Sequence, residues 1–185
     1  KTVVIESGAS VSNYHDGQKR KFSSYTQTSG STILDGELHA NSVVIQGGFM
    51  SGTGAVVGDL TVSDGGQIRP GNSYGNLEIA GQLAMSSGGT ILMEVGSDPE
   101  SISDYLWDQV VAESYDLTGG NLRFNLEDSV SLGVFTSEFS IDDFLLVGSQ
   151  DQYYGFLATG LSIYELSGLN IQAYDSISDQ LTRLV

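Results

Sequence analysis

An all-β chain of short strands joined by glycine-based corners is predicted, and three observations predict it. A glycine turn followed by a β-branched or apolar residue recurs with a mean step of 20 residues. The stretches between turns are runs of four to six residues bounded by Gly, Ser, Asn or Asp, the length and punctuation of strands. No segment of the first half sustains the 3.6-residue apolar period of an amphipathic helix, and nothing resembles the long helices that βαβ units need.

The turns are SGASV at Ser7–Val11, SGSTI at Ser29–Ile33, GGFM at Gly47–Met50, DGGQI at Asp64–Ile68 and SGGTI at Ser87–Ile91. From Gly8 through Gly30, Gly47, Gly65 and Gly88 the steps are 22, 17, 18 and 23 residues. A second element, G-x-L-x-x, interleaves with the first at Gly36, Gly58 and Gly75. Strands are expected at Thr2–Ile5, Ser42–Ile45, Asp59–Val62, Leu77–Ile79 and Thr90–Val95. One such cycle describes one coil of a parallel β-solenoid, in which successive coils stack about 4.8 Å apart and cover each other's apolar edges. The expected fold is therefore a right-handed parallel β-helix with a C-terminal antiparallel β cap. Residues 1–95 are expected to form coils, and residues 96–185 the last coils and the cap, continuous with them.

The corner Arg69–Gly75, RPGNSYG, fits this plan. Pro70 fixes its own φ, and Gly71, Asn72, Ser73 and Gly75 are turn formers. Gly65 or Gly71 is expected at positive φ, and the turns at Gly30, Gly47, Gly65 and Gly88 are expected to stack in parallel.

Composition narrows function by exclusion. The 185-residue chain has no cysteine, so disulfides, thiolate metal sites and cysteine nucleophiles are excluded. No apolar run approaches the roughly 20 residues that span a bilayer as a helix. The net charge is −16, unevenly placed. Residues 1–69 carry five basic against six acidic residues, and residues 70–185 carry two against seventeen. Such a surface repels nucleic acid and anionic lipid. Lys1 leads straight into a strand pattern, so the chain is expected to start partway through a longer, exported protein.

After Val95 the texture changes. GSDPESISDYLWDQ, Gly96–Gln109, reads as an acidic connecting loop with a helical turn around Ser101–Leu106. Longer strands follow at Asn121–Leu126, Phe144–Val147, Gly155–Ala158, Leu161–Leu166, Asn170–Tyr174 and Gln180–Val185. The aromatic-rich stretch Phe135–Tyr174 needs a broader core than a narrow coil offers. A cap here would cover strand edges that otherwise invite aggregation.

PGNSYGNLEIAGQL, then SGGTILMEV, then WDQVVAESYDLTGGNLRFNL resembles the C-terminal end of autotransporter-like passengers and related bacterial surface proteins. Pro70, Gly71, Asn72, Ser73, Gly75 and Leu77 match that pattern's turn; Gly88, Thr90, Leu92 and Glu94 match its next strand; Asp108, Val110 and Val111 match the third. The resemblance covers roughly Gly47–Leu126 and implies a solenoid on a cell surface. Tyr74 departs from it, standing where the pattern carries a second proline, and the membrane β-barrel of an autotransporter is absent from this sequence.

Catalytic candidates are the carboxylate pairs Asp142 with Asp143, Asp104 with Asp108, and Glu127 with Asp128, since glycoside hydrolysis needs two carboxyl groups about 5–9 Å apart. Neighbouring strand residues face opposite sides, which disfavours the adjacent pairs. Arg69, Arg123 and Arg183 are the arginines near candidate grooves, where a lyase would need one. His15 and His39 have no nucleophile motif around them and are expected to face solvent. Gln18–Lys21 is the one basic cluster, expected in an exposed loop that could anchor an acidic polysaccharide. Asp98, Asp104 and Asp108 could bind calcium through carboxylates and carbonyls, although neither EF-hand nor β-roll spacing is present. Tyr153, Tyr154 and Phe156 could stack on sugar rings. The reading that results is a non-enzymatic surface-protein fragment, an adhesin, stalk or matrix scaffold whose partner is a cell-surface polysaccharide or protein. The alternatives are a polysaccharide-active enzyme and a trimeric phage tail or spike module.

Overall fold

The structure, a computed structural model, describes residues 2–5, 10–11, 13–15, 18–97, 105–127, 130, 144–149, 152–154, 164–165, 170–175 and 180–184. Among the described residues there are strands and no helix. They are β1 (Thr2–Ile5), β2 (Ser10–Val11), β3 (Asn13–His15), β4 (Gln18–Arg20), β5 (Phe22–Gln27), β6 (Ser31–Leu34) and β7 (Glu37–Ile45). There follow β8 (Phe49–Gly52), β9 (Ala55–Val62), β10 (Gln67–Pro70), β11 (Asn76–Met85), β12 (Thr90–Ser97), β13 (Tyr105–Trp107) and β14 (Gln109–Asp116). The last are β15 (Asn121–Leu126), β16 (Leu145–Ser149), β17 (Gln152–Tyr154), β18 (Tyr164–Glu165), β19 (Asn170–Asp175) and β20 (Gln180–Leu184).

Two large sheets take strands from the chain in turn. The first runs β1-β6-β8-β10-β12-β15-β19-β20, and the second β17-β16-β14-β11-β9-β7-β2, with β5 beside β7 and β18 beside β14. Every consecutive pair from β1 to β19 in the first sheet is parallel, each strand pairing with the one a cycle earlier. Ser31, Phe49, Gln67, Thr90, Asn121 and Asn170 therefore share one ladder. The cycle lengthens toward the C-terminus, and the added length accompanies antiparallel pairs: β12 with β13, β16 with β17, and β19 with β20.

Alternation decides which side chains go inside. β6, β8, β10 and β15 alternate half-buried and buried residues with period two. Thr32, Met50, Ile68, Ile91 and Leu122 stack as one buried ladder. Across from it, Leu38, Val56, Ile79 and Ala112 form a second, and Val43, Leu60, Leu83 and Tyr115 a third. The apolar members join one core cluster. Burying a Leu or Ile in it contributes about 1.5–3 kcal/mol. In the later cycles Phe124 and Phe144 meet with ring centroids 4.6 Å apart.

The strands expected at Ser42–Ile45, Asp59–Val62 and Leu77–Ile79 are segments of longer strands. β7 and β11 each carry a register shift of the kind that bends a strand, between His39 and Ser42 and between Ile79 and Gln82. The Asp59 carboxylate accepts a 2.9 Å hydrogen bond from the Gln82 N–H at this bend. The repeated turn-plus-apolar elements are themselves the strands β6, β8, β10 and β12. Gly65 and Gly71 both hold positive φ, at 94° and 80°. The turn expected at Gly47 has its positive φ one residue later, at Gly48, where a side chain would run into the Gly30 carbonyl. The helical turn expected around Ser101–Leu106 is overturned where it can be read: Tyr105 and Leu106 lie in β13, paired with Ser97 and Gly96.

Candidate functional site

The corner after β10 is tied to cycles on both sides. Pairing of β10 with β12 ends at Ile68, and Pro70, without an N–H, does not continue it. Gly71 exchanges two backbone hydrogen bonds with Gly52. Asn72 donates to Asp35 at 2.9 Å, and the same carboxylate oxygen accepts the Thr53 N–H at 3.2 Å, so three successive cycles meet on Asp35. In the other direction the Gly75 N–H donates to Asp108 at 3.1 Å. Left-handed φ at Gly71 makes room for this, because a side chain there would strike Ser73 and Asp108.

Beneath the corner sits a cluster of ionisable groups. Asp108 is 1% exposed; its second carboxylate oxygen accepts the Glu94 N–H at 2.8 Å. Burial pushes its pKa up to about 8, with the Glu94 and Glu127 charges adding to the rise, against the two backbone donors that favour the anion. Glu94 is also raised, first by burial and then by Glu127, with Arg69 opposing. The Tyr74 hydroxyl donates to Glu127 at 2.8 Å, and burial followed by that hydrogen bond holds its pKa well above the usual phenol range.

On the outward side of the first sheet the same elements make two adjoining grooves. One, of about 280 Å³, lies between the corner and the Arg69, Leu92 and Glu94 side chains. The other, of about 270 Å³, runs from Arg69 and Leu92 across Asn121 to Arg123 and Asn125. Arg69 is fixed by two hydrogen bonds to Gln67, of 3.2 and 2.7 Å, and by the Phe49 ring 4.4 Å below its guanidinium.

Of the residues singled out from sequence, Asp98, Asp104, Asp128, Asp142, Asp143 and Phe156 lie outside the described residues. Asp108 is described, and each of its oxygens already accepts a main-chain N–H. Among the described residues no group of three His, Asp or Glu side chains is placed to hold a metal ion. His39 is half-buried on the outward side of β7 and paired with Glu37 at 2.6 Å. The basic segment Gln18–Lys21 lies at β4, which pairs with β3, rather than in a free loop. Tyr153 and Tyr154 lie in β17. Glu94 as a partner of Asp108, and Asn125 as a groove residue, were missed. Strand alternation in TILMEV and NLRFNL is the signal that places both on the outward side.

Compared with known proteins, the chain matches no family model, no curated protein and no solved structure.

Proposed function

We propose that the chain is a segment of an exported bacterial surface protein, a right-handed parallel β-helix closed by antiparallel C-terminal strands, acting as a stalk, adhesin or matrix scaffold without enzymatic activity. One observation carries the reading: carboxylates at the bends and corner are used to hold neighbouring cycles together. Asp35 takes the Thr53 N–H, Asp59 the Gln82 N–H, and Asp108 those of Gly75 and Glu94. Asp108, almost fully buried with both oxygens accepting backbone N–H groups, supports a structural role for this acid. The parallel ladders, the continuous apolar core and the dominance of carboxylates on residues 70–185 support a soluble stacked rod. The antiparallel β19–β20 and β16–β17 pairs support the cap, since each covers a parallel strand's free edge.

Velocity sedimentation with small-angle scattering, followed by incubation with a panel of bacterial polysaccharides, tests this reading. An elongated monomer that releases no sugar product is expected. A stable trimer would favour a spike module, and new reducing or unsaturated ends would favour an enzyme.

A further inference from the structure

We infer that Arg69, Arg123 and Arg183 form one stripe that binds a linear acidic polysaccharide running across the strands of the first sheet. The inference rests on the surface-protein reading and supplies its partner. No lysine or arginine follows Lys21 except these three. They are far apart in the chain, yet the register of the sheet puts them in one column. Arg69 lies beside Leu92, with which it lines both grooves. Leu92 pairs with Arg123, Arg123 with Gln172, and Gln172 with Arg183. Successive arginines therefore stand two ladder steps apart, about 9–10 Å along the column. Alternation turns the column outward, and on that side Glu94 is the one carboxylate carried by β6, β8, β10, β12, β15, β19 and β20. A chain of net charge −16 thus keeps one face on which arginines outnumber acids.

Among the described residues none of the three arginines has an ion pair. Arg69 gives Nε and one terminal nitrogen to Gln67 and keeps the other, with its guanidinium 4.4 Å from the Phe49 ring. Arg123 rests 5.8 Å from the Tyr174 ring. Its Nε is closed off, whereas its two terminal nitrogens, without a partner among the described residues, are not. Arg183 is exposed. A single small anion reaches one of these groups, so a ligand that uses the stripe carries several charges on an extended backbone. Between Arg69 and Arg123 the groove offers the amides of Gln67, Asn121 and Gln172, which donate and accept as sugar hydroxyls do. Leu92 is its one apolar side chain, so it holds no pocket for the apolar anchors of a peptide. A hydroxylated polyanion suits this lining better than an acidic peptide. The remaining acids repel any polyanion, but at about 0.1 M salt a Debye length of about 10 Å keeps most of that repulsion from a ligand lying on the stripe.

Isothermal titration calorimetry of the whole chain with a hexamer of 1,4-linked mannuronate, in about 0.1 M salt, tests the inference. Mannuronate monomer, maltohexaose and decaglutamate are the single-charge, neutral and peptide arms. Saturable binding of the hexamer is expected, about tenfold or more tighter than any of the three. Arg69→Gln, Arg123→Gln and Arg183→Gln should each weaken it about threefold and the triple variant about thirtyfold, while Lys19→Gln on β4 should leave it unchanged. Melting curves confirm that each variant is folded, and any two of the single variants suffice if another fails to fold. No saturable binding, equal binding of the monomer or maltohexaose, or unchanged affinity in every folded arginine variant would overturn the stripe. Tighter binding of decaglutamate would overturn the saccharide and assign the stripe to an acidic protein. An elongated monomer that binds no hexamer would lose the stripe and keep the surface-protein reading. Shortening of the hexamer with the arginine dependence intact would support the stripe and overturn the non-enzymatic reading.

Discussion

The Tyr74 hydroxyl donates a 2.8 Å hydrogen bond to Glu127, joining residues 53 positions apart in the chain. Tyr74 stands in the PGNS corner, between Ser73 and Gly75. Its ring lies against Gly96, where a side chain would collide with it, and its hydroxyl reaches the strand end two cycles on. Corner, β12 and the end of β15 are thereby fastened at one point.

Tyr74→Phe keeps the ring and removes the donor. Glu127 is left half-buried beside Glu94 without it, so a loss of about 0.5–1.5 kcal/mol is expected. Urea unfolding of the two proteins measures it, and identical midpoints would mean that water replaces the hydroxyl at no cost.

Legibility followed the range of the interactions. Turn chemistry is local, so Gly65 and Gly71 could be placed at positive φ from their neighbours alone. Alternation is also local, and it marked β12, β15 and β19 within a residue or two. Register is not local. Ladder pairing such as Phe49 with Ser31 joins residues a whole cycle apart, which no local pattern states. The register shifts inside β7 and β11 were hidden because each interrupts the pairing for only two residues within one continuous strand. The Glu94–Asp108–Glu127 cluster joins two cycles, Glu94 and Asp108 from one and Glu127 from the end of β15 in the next, and turn or alternation signals do not announce it.

The glycines at the turns differ in what they need. At Gly65 nothing stands within 4 Å of a would-be Cβ, but φ is 94°, so Gly65→Ala should cost about 1–2 kcal/mol from backbone strain alone. Gly48, at 70°, adds a collision with the Gly30 main chain in the preceding cycle. Gly48→Ala should therefore lower the melting temperature clearly more than Gly65→Ala. Equal shifts would mean that the turn stack yields to admit a methyl group.

Gln27 is buried, and its amide donates to the Gly47 and Phe49 carbonyls at 3.0 and 3.1 Å, with Gly30 at 3.3 Å. Its oxygen accepts the Thr32 hydroxyl at 2.7 Å, and Tyr25 closes the chain with a 2.7 Å contact to the same hydroxyl. This explains a threonine in an otherwise apolar ladder. Gln27→Leu, similar in size, leaves carbonyls and the Thr32 hydroxyl without this partner, and a loss of about 1–3 kcal/mol is expected. Gln27→Leu combined with Thr32→Val removes the stranded hydroxyl as well, so the double variant should recover part of the loss. A double variant weaker than either single one would contradict this account of the network.

Asp108 makes stability depend on pH in a direction opposite to an ordinary salt-bridged aspartate. The unfolded group titrates near 3.8 and the folded one at about 8, so between those values the folded protein holds a proton that the unfolded chain releases. Its stabilising contribution is complete below about pH 4 and is lost as pH rises through about 8, so unfolding free energy should fall across that window. Glu94 shifts in the same sense. Mutual repulsion among the other carboxylates gives the same trend at lower pH, but ordinary Asp and Glu are fully ionised by about pH 6. The interval from about pH 6 to 8 therefore isolates the buried acid, where one proton is worth at most about 1.4 kcal/mol per pH unit. Urea midpoints at pH 6, 7 and 8 should fall for the wild type and stay nearly level for Asp108→Asn, which keeps an acceptor for one of the two backbone donors. Both histidines remain in the variant, so any slope they contribute is common to the two proteins and cancels in the comparison. Parallel slopes would place the Asp108 proton in solution rather than in the fold.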